Sequence, residues 1–134
     1  MLDVVTGEDL WAIYQTVWGE ARGENFRGKL GVAHVILNRA KHVDQWPNTE
    51  FQVVHQPWQF SAWNEGNPNK EAMEELPFDD LNKECMEATL LAVGDPSSDP
   101  TGGATHYFAS YIDTPSWADN LLETARIGTH IFFR

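Results

Sequence analysis

The stretch from Phe26 to His42 constrains the fold most, because apolar residues surround nearly all of its helical wheel. Leu30, Val32, Ala33, Val35, Ile36, Leu37, Ala40 and Val43 leave a narrow polar arc of His34, Asn38, Lys41 and His42. A helix of that kind cannot lie on a surface, so the rest of the chain must pack around it. Asn38 and Arg39 need partners if buried, and a structural hydrogen bond or a solvated side chain is the commoner fate of each. At 134 residues the chain is long enough to bury such a core as one domain, read as 1–134. No internal repeat, low-complexity run or domain boundary interrupts it.

A second helical stripe precedes this one. Leu10, Ile13, Tyr14, Val17 and Ala21 share a face, and Thr6 followed by Glu8 and Asp9 reads as a helix start. The helix runs to about Arg22. Gly23 to Asn25 breaks it, and Asn25 is placed to cap the helix that follows. Extending the wheel puts Glu20 at the edge of the apolar face, and Glu24 nearer its centre if the turn persists. Partial burial and the negative pole of the helix dipole both disfavour an ionised carboxylate at Glu20, while Arg22 opposes them. A carboxyl that keeps its proton near neutrality is what general-acid cleavage of a glycoside requires. The plainer reading, a solvated Glu or the partner of a nearby Arg, is the commoner one for this pattern alone.

The remaining chain adds shorter elements. Asp44 to Asn48 is a loop broken by Trp46-Pro47, and Phe51 to His55 predicts a brief extended segment. Gln56 to Asn64 mixes aromatic and amide side chains in the manner of a sugar subsite, with Trp58 or Phe60 tucked into the core. A turn-rich stretch from Glu65 to Lys70 leads to a short helix near Lys70 to Leu76. Another helix is predicted from about Asp79 to Val93, with Leu81, Cys85, Ala88 and Ala92 on its buried face and Asp80, Glu84 and Glu87 solvated. Gly94 to Gly103 is a long loop, and so is Tyr111 to Asn120. Thr105 to Ser110 and Thr129 to Arg134 are extended and aromatic, and pair antiparallel against the helices. The fold class is α+β, mostly helical with a small sheet.

Charge and motif content exclude several functions. A net charge of -11 argues against nucleic-acid binding and gives no help on anionic membranes. Cys85 is the only cysteine and falls on an apolar stripe, as a small core residue does. Met1 to Thr6 lacks a basic start and an apolar run, and no stretch is long enough to span a bilayer, so no membrane insertion is expected. His34 and His42 lie two turns apart, His106 and His130 are isolated, and no His-Glu-x-x-His or paired-cysteine spacing occurs. Neither a metal nor a cofactor is expected. There is no Gly-x-Ser-x-Gly, and Gly102-Gly103 lacks the Lys-Ser/Thr of a phosphate loop. Carboxylate chemistry is left. Glu20 and Glu24 could work as a pair on water, or a single carboxyl could let the sugar's own hydroxyl attack. The residues favour neither route. A non-catalytic module that binds wall glycan or sits in a virion is the rival of another class, and six Trp residues suit it.

Taken together, the segments Tyr14…Trp18-Gly19-Glu20-Ala21-Arg22-Gly23-Glu24 and Gly28…Gly31-Val32-Ala33…Val35-Ile36-Leu37-Asn38-Arg39 resemble the SleB-like family of spore-cortex-lytic cell wall hydrolases. Gln56-Pro57…Gln59-Phe60-Ser61, Asp99-Pro100-Thr101-Gly102-Gly103-Ala104-Thr105-His106-Tyr107-Phe108 and Ile127-Gly128-Thr129-His130-Ile131-Phe132 continue the match in family order. The resemblance implies a lysozyme-like domain with a small antiparallel sheet. It implies cleavage of peptidoglycan glycan strands between N-acetylmuramic acid and N-acetylglucosamine, with a transglycosylase outcome and Glu20 as the catalytic acid. Gln59, Ser61, His106 and Tyr107 recur in the matched segments and carry donors and acceptors, so they are candidate sugar contacts. Glu24 is either a second carboxylate at the substrate or a structural partner of Arg22 or the backbone. Trp63 and Trp117 are candidate stacking platforms. Trp18 departs from the family, which has Tyr there in the spore enzyme. A compact acidic domain without a wall-binding module or secretion signal resembles a phage endolysin, made in the cytoplasm and acting on the wall after release. A monomer is the default expectation.

Overall fold

The computed structural model describes residues 4–57 and 59–134. Helix α1 spans Gly7–Ala21 and α2 spans Phe26–Lys41. Thr6 caps α1 through a reciprocal box with Asp9, and Asn25 caps α2 by accepting from Gly28 N at 2.8 Å. As its wheel demanded, α2 is the axis of the core: Val32, Ala33, Val35 and Ile36 are fully buried. Helix α1, a short α3 (Glu50–His55) and α5 (Lys83–Gly94) pack around it, and α4 (Pro68–Glu74) packs on α1.

Three corrections arise in the helical part. Residues 51–55 are helical rather than extended. Thr49 caps that turn by accepting from Gln52 N, and Asp9 of α1 accepts from Phe51 N at 3.0 Å. Those caps override the alternation of Phe-Gln-Val-Val-His, a competition that short segments lose easily. Helix α5 begins later than expected because Asp79 Oδ1 accepts from Leu81 N and Asn82 N, holding a local turn. Leu81 is therefore exposed, while Cys85, Ala88 and Ala92 do face the core. Glu84 is not simply solvated, since it pairs with the buried Lys29 at 2.8 Å. Trp58 lies outside the described residues; Phe60 is buried, as expected of one member of that pair.

The sheet has three strands in the order β1 (His106–Ala109), β3 (His130–Phe133), β2 (Glu123–Ile127). The two aromatic segments pair antiparallel, Phe108 opposite Ile131. Strand β2 was not anticipated. Glu-Thr-Ala-Arg-Ile carries one large apolar residue, so its alternation is weak, and a bulge near Thr124 blurs it further. A two-residue loop joins β2 to β3, with Gly128 at φ +57° in its first position, where such turns need a left-handed residue. The sheet packs on α2 closely enough that a Cβ on Gly31 would sit 2.8 Å from Phe132 Cζ.

Candidate active site

Glu20 occupies the last turn of α1, half-buried, and three elements converge on its carboxylate. From one side comes a single 3₁₀ turn, Ser61–Trp63. Ala62 N donates to Glu20 Oε2 at 3.0 Å, with Ser61 Oγ at 3.5 Å. The turn comes this near because the residue before Glu20 is glycine: a Cβ on Gly19 would meet the Met73 sulfur and lie 3.0 Å from Ala62 Cβ. Trp63 clamps the same turn to α1, its indole N–H donating to Thr16 Oγ1 at 2.8 Å. From the sheet, the Tyr107 phenol donates to Glu20 Oε1 at 2.5 Å. Burial, followed by the charge of Glu20, pushes the Tyr107 phenol well above its ordinary range, so it remains a donor throughout the working pH range.

The third element is α2 through Arg39. Its guanidinium is buried, with Nε donating to Thr105 O at 2.7 Å and Nη1 to Gln59 Oε1 at 3.3 Å. It also stacks over Phe60 at 4.8 Å and Trp46 at 5.4 Å. Desolvation lowers the Arg39 pKa, while Tyr107 and Glu20 pull it back up. Arg39 thus ties the start of β1 to the loop bearing Gln59 and supplies positive potential behind Glu20. As a buried Arg with partners it follows the structural expectation, yet it also borders the cavity.

These groups line a cavity of about 600 Å³ that contains Glu20, Arg39, Gln59, Ser61, Tyr107, Trp117 and His130. Asn67, Asn69 and Tyr111 line it too and were missed. Asn67 and Asn69 read as turn residues in sequence, and only the fold brings the start of α4 opposite the sheet. Among the described residues lining the cavity, Glu20 is the only carboxylate. Among the described residues, no group of three His, Cys, Asp or Glu side chains is arranged to hold a metal.

Four of the seven candidate substrate contacts, Gln59, Ser61, Tyr107 and Trp117, gather at the cavity. Trp117 also packs edge-on against Phe108 and Phe133. The other three lie elsewhere. His106 neighbours Tyr107 on β1, so its side chain takes the opposite face, between Trp46 and Trp117 at 5.6 and 5.0 Å. Trp63 turns away from Glu20 into a separate pocket of about 680 Å³ beside Phe51 and His55. Glu24 lies past the end of α1, its side chain 14% exposed, accepting from Thr129 N and Oγ1, each at 2.9 Å. Arg22 is not its partner: that guanidinium stacks over Trp18 at 4.2 Å and donates to Asn69 Oδ1.

Comparison with known proteins adds to this geometry. A family model described as Cell Wall Hydrolase matches residues 23–133. That match begins three residues after Glu20, so the case for Glu20 rests on its surroundings. The spore cortex-lytic enzyme of Halalkalibacterium halodurans is 34% identical over 124 residues, 92% of this chain and 34% of that protein. That of Bacillus subtilis is 32% identical over 127 residues, 95% of this chain and 38% of the relative. The chain therefore spans a little over a third of the length of these relatives. Among solved structures, the catalytic domain of the germination-specific lytic transglycosylase SleB from Bacillus anthracis superposes with a TM-score of 0.80 at 30% identity, covering all of both chains. The SleB catalytic domain from Bacillus cereus gives 0.82 at 30% identity, covering all of this chain and 95% of that one.

Proposed function

Because the chain belongs to the cell wall hydrolase family, we propose that it cleaves peptidoglycan glycan strands between N-acetylmuramic acid and N-acetylglucosamine as a lytic transglycosylase. One observation carries this reading: among the described residues a single carboxylate, Glu20, lies in a cavity otherwise lined by neutral polar groups, apolar and aromatic side chains and Arg39. Water-using glycosidases place a second carboxylate about 5–10 Å away, across the scissile bond, to attack or to activate water. Glu24, the nearest in sequence, is committed to Thr129.

In this mechanism Glu20 enters protonated and gives its proton to the glycosidic oxygen as the C1–O bond breaks. The N-acetylglucosamine leaves with a free hydroxyl. The carboxylate so formed is the species that the Tyr107 hydroxyl and the Ala62 N–H are placed to hold. It then takes the proton of the muramoyl C6 hydroxyl as that oxygen bonds to C1. A 1,6-anhydro ring closes, Glu20 regains its proton, and no water is consumed.

The test is mass spectrometry of the soluble products from purified peptidoglycan, with wild type and Glu20→Gln in parallel. Wild type should release fragments with anhydro-muramic ends, lighter by one water than hydrolysis products. Glu20→Gln should lose at least about 100-fold in rate, the usual minimum for a positioned acid–base, and keep its melting temperature. Reducing muramic ends would establish hydrolysis and make Glu24 the first suspect for activating water. Products from neither protein would favour a glycan-binding module.

A further inference from the structure

His130 lines the Glu20 cavity and takes no part in the mechanism above. It opens β3, is 7% exposed, and lies 4.8 Å, centroid to centroid, from the Tyr107 ring. Its Nδ1 is fully buried and has no hydrogen-bond partner among the described residues. The nearest charge is Glu24 Oε1 at 4.0 Å. That carboxylate is held from several directions. Thr129 donates to both oxygens, Gly128 lies so close that a Cβ there would be 2.6 Å from Oε1, and Lys29 Nζ donates to the Glu24 carbonyl at 2.7 Å. Glu24 is thus fixed against the sealed side of the imidazole.

Burial lowers the His130 pKa, outweighing the upward pull of Glu24 and then Glu20, while the third ionisable neighbour, Tyr107, stays neutral. The ring is therefore uncharged near neutral pH and carries one N–H and one lone pair. A lone pair on Nδ1 would face a carboxylate oxygen with nothing to donate. A proton on Nδ1 faces a fixed negative charge instead. The carboxylate selects the Nδ1–H tautomer, as an acceptor beside one ring nitrogen of a neutral histidine commonly does. Since Nδ1 is sealed, the cavity meets the other edge of the ring, where the lone pair of Nε2 then lies.

We infer that Glu24 and His130 work as a pair, the carboxylate fixing the imidazole tautomer so that Nε2 accepts a hydrogen bond from a substrate hydroxyl in the Glu20 cavity. This rests on the glycan-cleaving reading above. Sugar hydroxyls need acceptors, and the amide oxygens of Gln59, Asn67 and Asn69 in the cavity already accept from Arg39, the Asn69 N–H and Arg22. Glu20 accepts from Tyr107 and Ala62 and alternates between acid and base. Nε2 stays an acceptor through the whole cycle. Glu24 is a positioning residue, acting through His130 without touching substrate.

The experiment reads the tautomer directly. In ¹⁵N spectra of histidine-labelled Glu20→Gln protein at neutral pH, His130 should show a protonated Nδ1 and a bare Nε2. Adding chitotetraose should shift the Nε2 resonance. The opposite tautomer, or an Nε2 resonance the oligomer leaves unmoved, overturns the inference. Turnover on peptidoglycan gives a second readout. His130→Asn keeps a group facing Glu24 but loses the distal acceptor, so kcat/KM should fall roughly tenfold or more, the worth of one hydrogen bond. His130→Gln reaches the Nε2 position with its amide oxygen and should recover most of that loss at similar thermal stability. Equal loss in both variants overturns the inference. Where His130→Asn fails to fold, the spectra decide. A wild type that releases no products defeats the glycan-cleaving reading alone, because the tautomer is read without turnover.

Discussion

Replacing Gly128 by Ala tests how tightly the β2–β3 loop and Glu24 depend on each other. Two costs are visible. Gly128 has φ +57°, and an L-residue in that region pays roughly 1–2 kcal/mol. The new Cβ would also lie 2.6 Å from Glu24 Oε1, so the carboxylate must retreat by on the order of 1 Å to reach ordinary contact. That retreat breaks at least one of the two 2.9 Å bonds from Thr129. A hydrogen bond to a charged acceptor is worth about 1.5–3 kcal/mol, and at 14% exposure water replaces it poorly. The sum is about 2.5–5 kcal/mol, or roughly 9–18 °C in melting temperature for a domain of this size. Urea unfolding of four proteins decides the matter: wild type, Gly128→Ala, Glu24→Ala and the double variant. With Glu24 truncated, Gly128→Ala should cost only its backbone share, giving a coupling of about 1.5–3 kcal/mol. Additivity within about 0.5 kcal/mol would refute the reasoning, because it would mean the two residues do not touch energetically.

Two further outcomes follow from the same geometry. Trp63→Phe removes the indole N–H that donates to Thr16 Oγ1 and should cost about 1–2 kcal/mol by urea unfolding; it should also slow turnover by loosening the turn that carries Ala62, and unchanged kinetics would separate that clamp from catalysis. Stability should fall as pH drops from 7.5 to 5.5. Burial holds His34, whose Nε2 is 2.8 Å from Ser98 Oγ, below the ordinary histidine value. The unfolded chain then takes up a proton first, below about pH 6.5, and each such histidine can remove up to about 1.4 kcal/mol per pH unit. His34→Gln should flatten the slope, and a wild type more stable at pH 5.5 would contradict it.

Much of this molecule was legible before its fold was. A wheel from Leu30 to Ala40 that is apolar but for a narrow polar arc calls for a central helix, and a Glu at the edge of an apolar stripe stands out because charge there needs a reason. What sequence concealed was mostly contact across long separations. Nothing local to Asn67 or His130 says that either borders the same cavity as Glu20. His106 and Tyr107 look equivalent in a matched segment, yet strand alternation sends only Tyr107 to the carboxylate. Trp63 is a stacking candidate by type, but its N–H is drawn to Thr16, which turns the ring out of the cleft. Leu81 failed for a smaller reason: Asp79 offered the backbone a cheaper local turn than another helical one.

The middle strand of the sheet is made from the final residues of this sequence. Strand β3 lies between β1 and β2, and it brings His130 and the core ring Phe132 with it. Glu20 and its phenolic donor are 87 positions apart. During synthesis the helices can therefore gather early, but the cleft cannot be completed until residues through Phe133 have left the ribosome. Such distant pairings are the slow part of folding. A nascent chain that carries Glu20 but not yet β3 lacks the Tyr107–His130 wall of the cleft as it stands in the finished sheet, so the geometry around Glu20 is complete only once this region has been translated.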